Sequence, residues 1–292
     1  MGTIKKVGFI GTGVMGKSMS RNLMQAGFEL AVYTRTKAKA EELIDAGAVW
    51  HDTPASLAAS VDAIITMVGY PSDVQEVYFG ENGILQHAKP GTYVIDMTTS
   101  KPALAEEIHA AAKDKGLFAL DAPVSGGDVG AKNGKLAIMV GGDEDAFQAA
   151  LPLFEAMGEN IILQGPAGSG QHTKLINQVT IASNMVGVCE AIAYAEYAGM
   201  DPSKVLQSIT TGAAGSFSLS NLAPRMIRGD YDPGFYVKHF IKDMKLALEA
   251  AREMGLMTPG LELSLSLYER LAANGDEDLG TQALIKLFTK KA

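Results

Sequence analysis

Val7-Gly8-Phe9-Ile10-Gly11-Thr12-Gly13-Val14-Met15-Gly16 is the stretch on which the fold turns. Four residues of strand character run into a Gly-x-Gly-x-x-Gly, and Met15, Met19 and Leu23 follow at i, i+4 and i+8, the apolar face of a helix. A glycine pattern alone arises by chance, but between a strand and a helix it is the turn of a dinucleotide-binding βα unit. Gly11 permits the tight turn, Gly13 lets the backbone approach a pyrophosphate, and Gly16 lets the helix lie close to the sheet. The helix start offers unpaired N–H groups and a positive dipole end, so Thr12, Val14 and Met15 join the glycines as cofactor-binding candidates.

Outward from this unit, Leu30–Tyr33, Ala63–Val68, Tyr93–Asp96 and Phe118–Leu120 have the length and composition of buried strands. Helical stretches separate them. One is opened by Thr53-Pro54, and another runs from Pro102 to Gly116. Strands alternating with helices predict an α/β Rossmann fold, a doubly wound sheet. Leu136–Val140 and Ile161–Leu163 read as two more strands, around a helix begun by Asp143. After the breaker cluster at Gly165-Pro166-Ala167-Gly168 only helical patterns follow, the first from about Gln171 to Tyr197. The expected division is a dinucleotide-binding domain over residues 1–164 and an all-helical domain over 165–292, linked by that long helix.

Composition agrees with this layout. The chain has 292 residues, 47% apolar and 20% charged, enough for two packed cores. A net charge of −8, with no basic block beyond Lys290-Lys291, argues against nucleic acid as a partner. The single cysteine, Cys189, lies in an apolar helical stretch and fits a reducing, cytoplasmic setting as a buried inert thiol. The longest apolar stretch, Leu175–Tyr194, is interrupted by Asn177, Gln178, Asn184 and Glu190 and reads as a buried helix, so no membrane partner is expected. No histidine or cysteine cluster has metal-ligand spacing.

The second strand ends in Tyr33-Thr34-Arg35-Thr36. An NAD site usually carries an acidic residue here, on the ribose 2′-hydroxyl. Arg35, flanked by the hydroxyls of Thr34 and Thr36 and followed by Lys37 and Lys39, instead suits the 2′-phosphate of NADP. The expected cofactor is NADP(H), with NAD(H) used less well. Met67 and Val68, ending the third run, are counted among the cofactor-binding residues.

Four more segments combine with the glycine loop: Asp96-Met97-Thr98-Thr99, Asp121-Ala122-Pro123-Val124-Ser125-Gly126-Gly127, Gly168-Ser169-Gly170-Gln171-His172-Thr173-Lys174-Leu175-Ile176-Asn177, and Phe240-Ile241-Lys242-Asp243. In this order and spacing, over essentially the whole chain, the set resembles the β-hydroxyacid dehydrogenase family. That family includes 3-hydroxyisobutyrate dehydrogenase, tartronate semialdehyde reductase and the glyoxylate/succinic semialdehyde reductases. The resemblance implies that Lys174 is the catalytic lysine and that Ser125, Gly126 and Gly127 bind the substrate carboxylate. It implies cofactor contacts for Thr99 and Lys242, with Asp243 nearby, and a homodimer or homotetramer. Many members carry asparagine four residues after the lysine, where this chain has Gln178; Asn177 stands three residues after. Either amide can share the lysine's helix face. Asn177 is the favoured catalytic partner, and the choice stays open.

The chemistry needs such groups. Hydride reaching a carbonyl carbon leaves charge on oxygen, and a donor within hydrogen-bond reach must stabilise it and deliver a proton. A lysine does this when desolvation or a neighbouring positive charge lowers its pKa. Ser125-Gly126-Gly127 follows the C-terminal end of a strand, where open α/β sheets bind ligands, and freed backbone N–H groups plus a hydroxyl suit a carboxylate. His172 and His239 stand near the two key lysines, but two residues from Lys174 a helix points His172 elsewhere. The expected reaction is hydride transfer between NADP(H) and a small β-hydroxyacid or its semialdehyde. The alternatives are an imine or sugar-acid reductase, and a non-catalytic NADP-binding sensor or scaffold. Which group stands opposite the carboxylate is not legible.

Overall fold

A computed structural model describes residues 4–289, so the Lys290-Lys291 pair lies outside the described residues. The chain divides into two compact units, Met1–Lys174 and Leu175–Ala292. In the first, nine strands form one sheet: β1 (Lys6–Ile10), β2 (Glu29–Tyr33), β3 (Val49–Trp50), β4 (Ala63–Thr66), β5 (Tyr93–Asp96), β6 (Phe118–Asp121), β7 (Val124–Ser125), β8 (Leu136–Gly142) and β9 (Gly158–Gly165). Their order is β3-β2-β1-β4-β5-β6-β8-β7, with β9 on β8. The six strands from β3 to β6 pair in parallel, as the βαβ pattern predicts. β8 runs antiparallel to β6 and β7, and β9 returns parallel to β8.

Alternate residues along the central strands build two cores. Phe9, Ile65 and Ile95 join Met19 and Leu23 on one face. Their neighbours Ile10, Ile64 and Val94 join Leu57, Tyr78 and Ile108 on the other. This period of two, buried on both sides, is why the central strands read as continuous apolar runs. The helix Val14–Gln25 buries Met19 and Leu23, with Met15 partly covered. Thr53 caps its short helix as expected, accepting the Ser56 N–H at 3.1 Å ahead of Pro54. Sequence reading passed over β3, β7 and the six-residue helix Gly127–Lys132.

The second unit is helical. Leu175–Tyr197 continues the long helix Ser169–Tyr197, joined by Pro202–Ile209, Ser218–Ile227, Val237–Glu253, Pro259–Leu271 and a 3₁₀ segment Thr281–Leu287. Val188, Cys189, Ile192, Phe240, Met244 and Tyr268 lie in its core. Burial pushes the Cys189 thiol far up, so it stays protonated and inert. By length and composition Ser169–Tyr197 could cross a membrane, but its polar members Gln171 and Gln178 are fully buried and hydrogen-bonded within their own units.

Candidate active site

The glycine loop closes the C-terminal end of β1. Gly11 adopts φ +100°, and a Cβ there would strike the Met67 carbonyl oxygen. A Cβ on Gly16 would strike the Gly11 carbonyl oxygen and the Phe9 ring, so this glycine serves close packing of the helix on its own turn. Gly13 has open space around it, as close approach of a phosphate requires. The first intrahelical bond is Lys17 N–H to Gly13 O at 2.9 Å, leaving the N–H groups of Val14, Met15 and Gly16 ahead of the ladder. Thr12 is 1% exposed, and its Oγ1 has no hydrogen-bond partner among the described residues. An orphaned hydroxyl, an open glycine and three unladdered N–H groups fit a dinucleotide pyrophosphate.

Arg35 follows β2, with Thr34 half-buried and Thr36 exposed. Its guanidinium is 81% exposed and lies 3.1 Å from Asp73 Oδ1. Asp73 Oδ2 accepts the Tyr70 N–H at 3.0 Å, which anchors the carboxylate. Lys37 turns instead over the Trp50 ring, 5.3 Å from its centroid. The ends of β1, β2 and β4 are tied by Gly11 N–H to Tyr33 O and Met67 N–H to Ile10 O, both 2.9 Å. Val68 N–H donates to Thr98 Oγ1 at 3.0 Å, so Met67, Val68, Thr98 and Thr99 belong to one bonded set of loops at the carboxyl ends of β4 and β5.

Two buried carboxylates stand in register there, Asp96 on β5 and Asp121 on β6. Thr66 Oγ1 donates to Asp96 Oδ1 at 2.8 Å and Thr98 N–H donates to the same oxygen at 3.1 Å. Burial still dominates and pushes the Asp96 carboxyl up to about 6. Asp121 Oδ1 accepts Gly168 N–H and its Oδ2 accepts Gln171 N–H, each at 2.8 Å. Burial raises Asp121 too, while these N–H bonds oppose the rise. The start of the helix that carries Lys174 is thus bonded onto the end of β6. Gly170 makes this possible, since a Cβ there would lie 2.6 Å from Asp121 O and 2.8 Å from its Oδ2.

Four residues beyond Asp121, Ser125 pairs with Ala137 at the end of β7. Gly126 and Gly127 follow with φ of +128° and +63°, a backbone conformation that favours glycine. Ser125 and Gly127 are half-buried and Gly126 is exposed. Lys174 is 7% exposed, one turn after Gln171. A lysine this deeply buried departs from the ordinary solvated helix-face position.

In the helical unit, Asn177 Nδ2 donates to Gln178 Oε1 at 2.7 Å, and Gln178 Nε2 donates to Asp243 Oδ2 at 2.7 Å. Asp243 Oδ1 lies 3.1 Å from Lys242 Nζ, an ion-pair contact rather than an aligned hydrogen bond. Gln178 is fully buried and Asn177 half-buried. His239 is held below its usual pKa by burial and by Lys242 and Lys238, and its ring meets Tyr236 edge-on. Reading the sequence singled out Lys174, Asn177 and Lys242 but passed over Asp73, Asp121 and Gln171 as working residues. The last two lay inside quoted motifs.

Residues 6–165 match the model of the NAD binding domain of 6-phosphogluconate dehydrogenase. Residues 168–288 match that of the NAD-binding region of NADP-dependent 3-hydroxyisobutyrate dehydrogenase. The chain is 64% identical to the uncharacterised oxidoreductase YkwC of Bacillus subtilis, over 98% of this chain and 99% of that one. It is 40% identical to 2-hydroxy-3-oxopropionate reductase of Escherichia coli, over 96% of each. Among solved structures, 3-hydroxyisobutyrate dehydrogenase of Mycobacterium tuberculosis with L-serine superposes with a TM-score of 0.90 at 31% identity, over 97% of this chain and 99% of that one.

Proposed function

The chain belongs to the β-hydroxyacid dehydrogenase family, and from that premise we propose that it transfers hydride between NADP(H) and a small β-hydroxyacid or its semialdehyde, with Lys174 as general acid and base. Activity as an NAD(P)-dependent hydroxyacid dehydrogenase is the family's. The preference for NADP and the roles of single residues are our reading.

The observation that carries it is the burial of Lys174 one turn into a helix whose start is hydrogen-bonded to the carboxyl end of β6. When bound, the nicotinamide supplies or accepts the hydride. Lys174 donates a proton to the carbonyl oxygen during reduction and withdraws it from the hydroxyl during oxidation. Ser125 Oγ and the N–H groups of Gly126 and Gly127 bind the substrate carboxylate. Asn177 orients the substrate. The glycine loop, residues Gly11 to Gly16, holds the pyrophosphate, and Arg35 with Thr34 and Thr36 receives the 2′-phosphate. Met67, Val68, Thr99 and Lys242 complete the cofactor contacts. The exposed Tyr194, Tyr197 and Met257 support a homodimer or homotetramer, and the single buried Cys189 suits the cytoplasm.

The test is kcat/KM for methylmalonate semialdehyde, tartronate semialdehyde, succinic semialdehyde and glyoxylate, and for the corresponding hydroxyacids, with both cofactors. We expect turnover of at least one pair with NADPH favoured. No turnover with any of them would overturn the reaction, and equal efficiency with NADH would overturn the cofactor preference.

A further inference from the structure

Gln171 is fully buried, and its amide is used at both ends. Nε2 donates to the Thr98 carbonyl at 2.7 Å, and Oε1 accepts the Ser100 N–H at 2.8 Å. The partners are a backbone acceptor and a backbone donor, so only one orientation of the amide satisfies both. The residue's own N–H goes to Asp121 Oδ2. Gln171 therefore bonds the first turn of the Lys174 helix to the loop after β5, across a sequence separation of more than 70 residues. That loop contains Thr98 and Thr99, and Thr98 Oγ1 in turn receives Val68 N–H.

We propose that Gln171 is a positioning residue for the reaction: it holds the helical turn bearing Lys174 in fixed register with the loop bearing Thr99, and so sets where the lysine meets the reacting oxygen. The inference rests on the assignment of Lys174 as acid and base. Removing the clamp misplaces the lysine without deleting it and leaves the glycine loop intact. Thr99 is one cofactor contact among many, so the loss falls mainly on kcat and only slightly on NADPH affinity, and a displacement near 1 Å costs on the order of 100-fold.

Gln171→Glu tests this, because its effect reverses with pH. A protonated glutamic acid reproduces the donor and acceptor of the glutamine. The ionised form sets an oxygen against the Thr98 carbonyl, two acceptors with no proton between them. The titratable groups around the position are Asp121, on its own N–H; Asp96, on the Thr98 N–H; His172, next in the chain; and Lys174, one turn on. Burial and the two carboxylates raise the new carboxyl's pKa, and the cations oppose them.

We expect kcat relative to the parent chain at the same pH to be down about 100-fold near pH 8 and to recover to within about threefold near pH 5.5. NADPH Kd should stay within about twofold at both pH values. A pH-independent ratio, or a Kd that worsens in step with kcat, overturns the proposal. Gln171→Met fills the space without either hydrogen bond and carries the decision if Gln171→Glu does not fold. A kcat lowered at least tenfold with unchanged Kd supports the clamp, and an unchanged kcat or a parallel loss of affinity overturns it. Lys174→Ala run alongside separates the two premises, since retained turnover there removes the lysine assignment itself.

Discussion

The Asp121 carboxylate receives the backbone N–H of Gln171 at 2.8 Å through one oxygen and that of Gly168 through the other. A strand end on the sheet thereby fixes a helix start 50 residues later in the chain. Asp121→Asn keeps the shape but can accept through one oxygen only, so its Nδ2 faces a buried N–H. Burial disfavours the wild-type charge, which offsets part of the loss, yet two opposed donors cost more. We expect about 1–3 kcal/mol of destabilisation in urea unfolding and a fall in kcat of about tenfold or more. Unchanged stability would show that the two bonds contribute little.

Lys174→Ala removes the proton donor while leaving every element around it in place. Turnover should drop by at least about 100-fold, the ordinary contribution of a positioned acid or base, with NADPH Kd by fluorescence titration within about twofold. Near-normal kcat would refute the role of Lys174.

Arg35 pairs with Asp73 on the surface, and a pair this exposed holds the guanidinium only weakly. A 2′-phosphate, with more charge and more acceptor oxygens, outcompetes the carboxylate for it. Arg35→Ala should raise KM for NADPH about tenfold and leave KM for NADH nearly unchanged. Equal effects on both would place the guanidinium elsewhere on the cofactor, or off it.

How far the sequence carried depended on the range of the interactions. The glycine loop was legible because its geometry is set within one continuous stretch: the strand, the Gly11 turn and the Met19–Leu23 face follow one another along the chain. The Thr53-Pro54 helix start was legible for the same reason. The Gln171 clamp left no such trace, since its partners Thr98 and Ser100 are backbone groups in a distant loop, and backbone groups have no residue signature. The antiparallel course of β8 was missed because an apolar run has no direction; the chain turns back between β7 and β8, through the six-residue helix Gly127–Lys132 that sequence reading passed over. Arg35 was visible as a residue type, whereas its pairing with Asp73 needed the third dimension.

Asp96 makes stability depend on pH in a direction unusual for a carboxylate. Its folded-state pKa is displaced upward, from 3.8 to about 6, mainly by burial, so the folded chain binds the proton more tightly than the unfolded one. The contribution of Asp96 to stability is therefore fully present below about pH 4 and is lost as pH rises through about 6. The displacement corresponds to roughly 3 kcal/mol. Thr66 Oγ1 and the Thr98 N–H both address Oδ1, and the Thr98 side chain adds a further bond to the carboxylate. Asp96→Asn can keep the two bonds to Oδ1 and remove the charge. Its Tm should exceed the parent's near pH 7 and match it near pH 4. A Tm difference independent of pH would rule out titration of Asp96 as the cause.

The choice between Asn177 and Gln178 turns on which way an amide must face. Asp243 is an acceptor only, so Gln178 must present Nε2 to it, at 2.7 Å. Gln178 Oε1 then faces Asn177 and takes its Nδ2, also at 2.7 Å. The orientation of both amides follows from the carboxylate. Gln178 is committed to Asp243, and Asn177 turns its carbonyl oxygen away from the pair, available as an acceptor. Asn177→Asp keeps that oxygen but sets a second one against Gln178 Oε1, and Gln178 cannot flip without opposing Asp243. We therefore expect Asn177→Asp to raise KM for the acid about tenfold or more and to lose on the order of 1–2 kcal/mol of stability above the aspartate's pKa. Asn177→Ala should raise KM with a smaller loss of stability. If Asn177→Asp matched the parent in both KM and Tm, neither Asn177 nor the relay from Asp243 would have a part in orienting substrate.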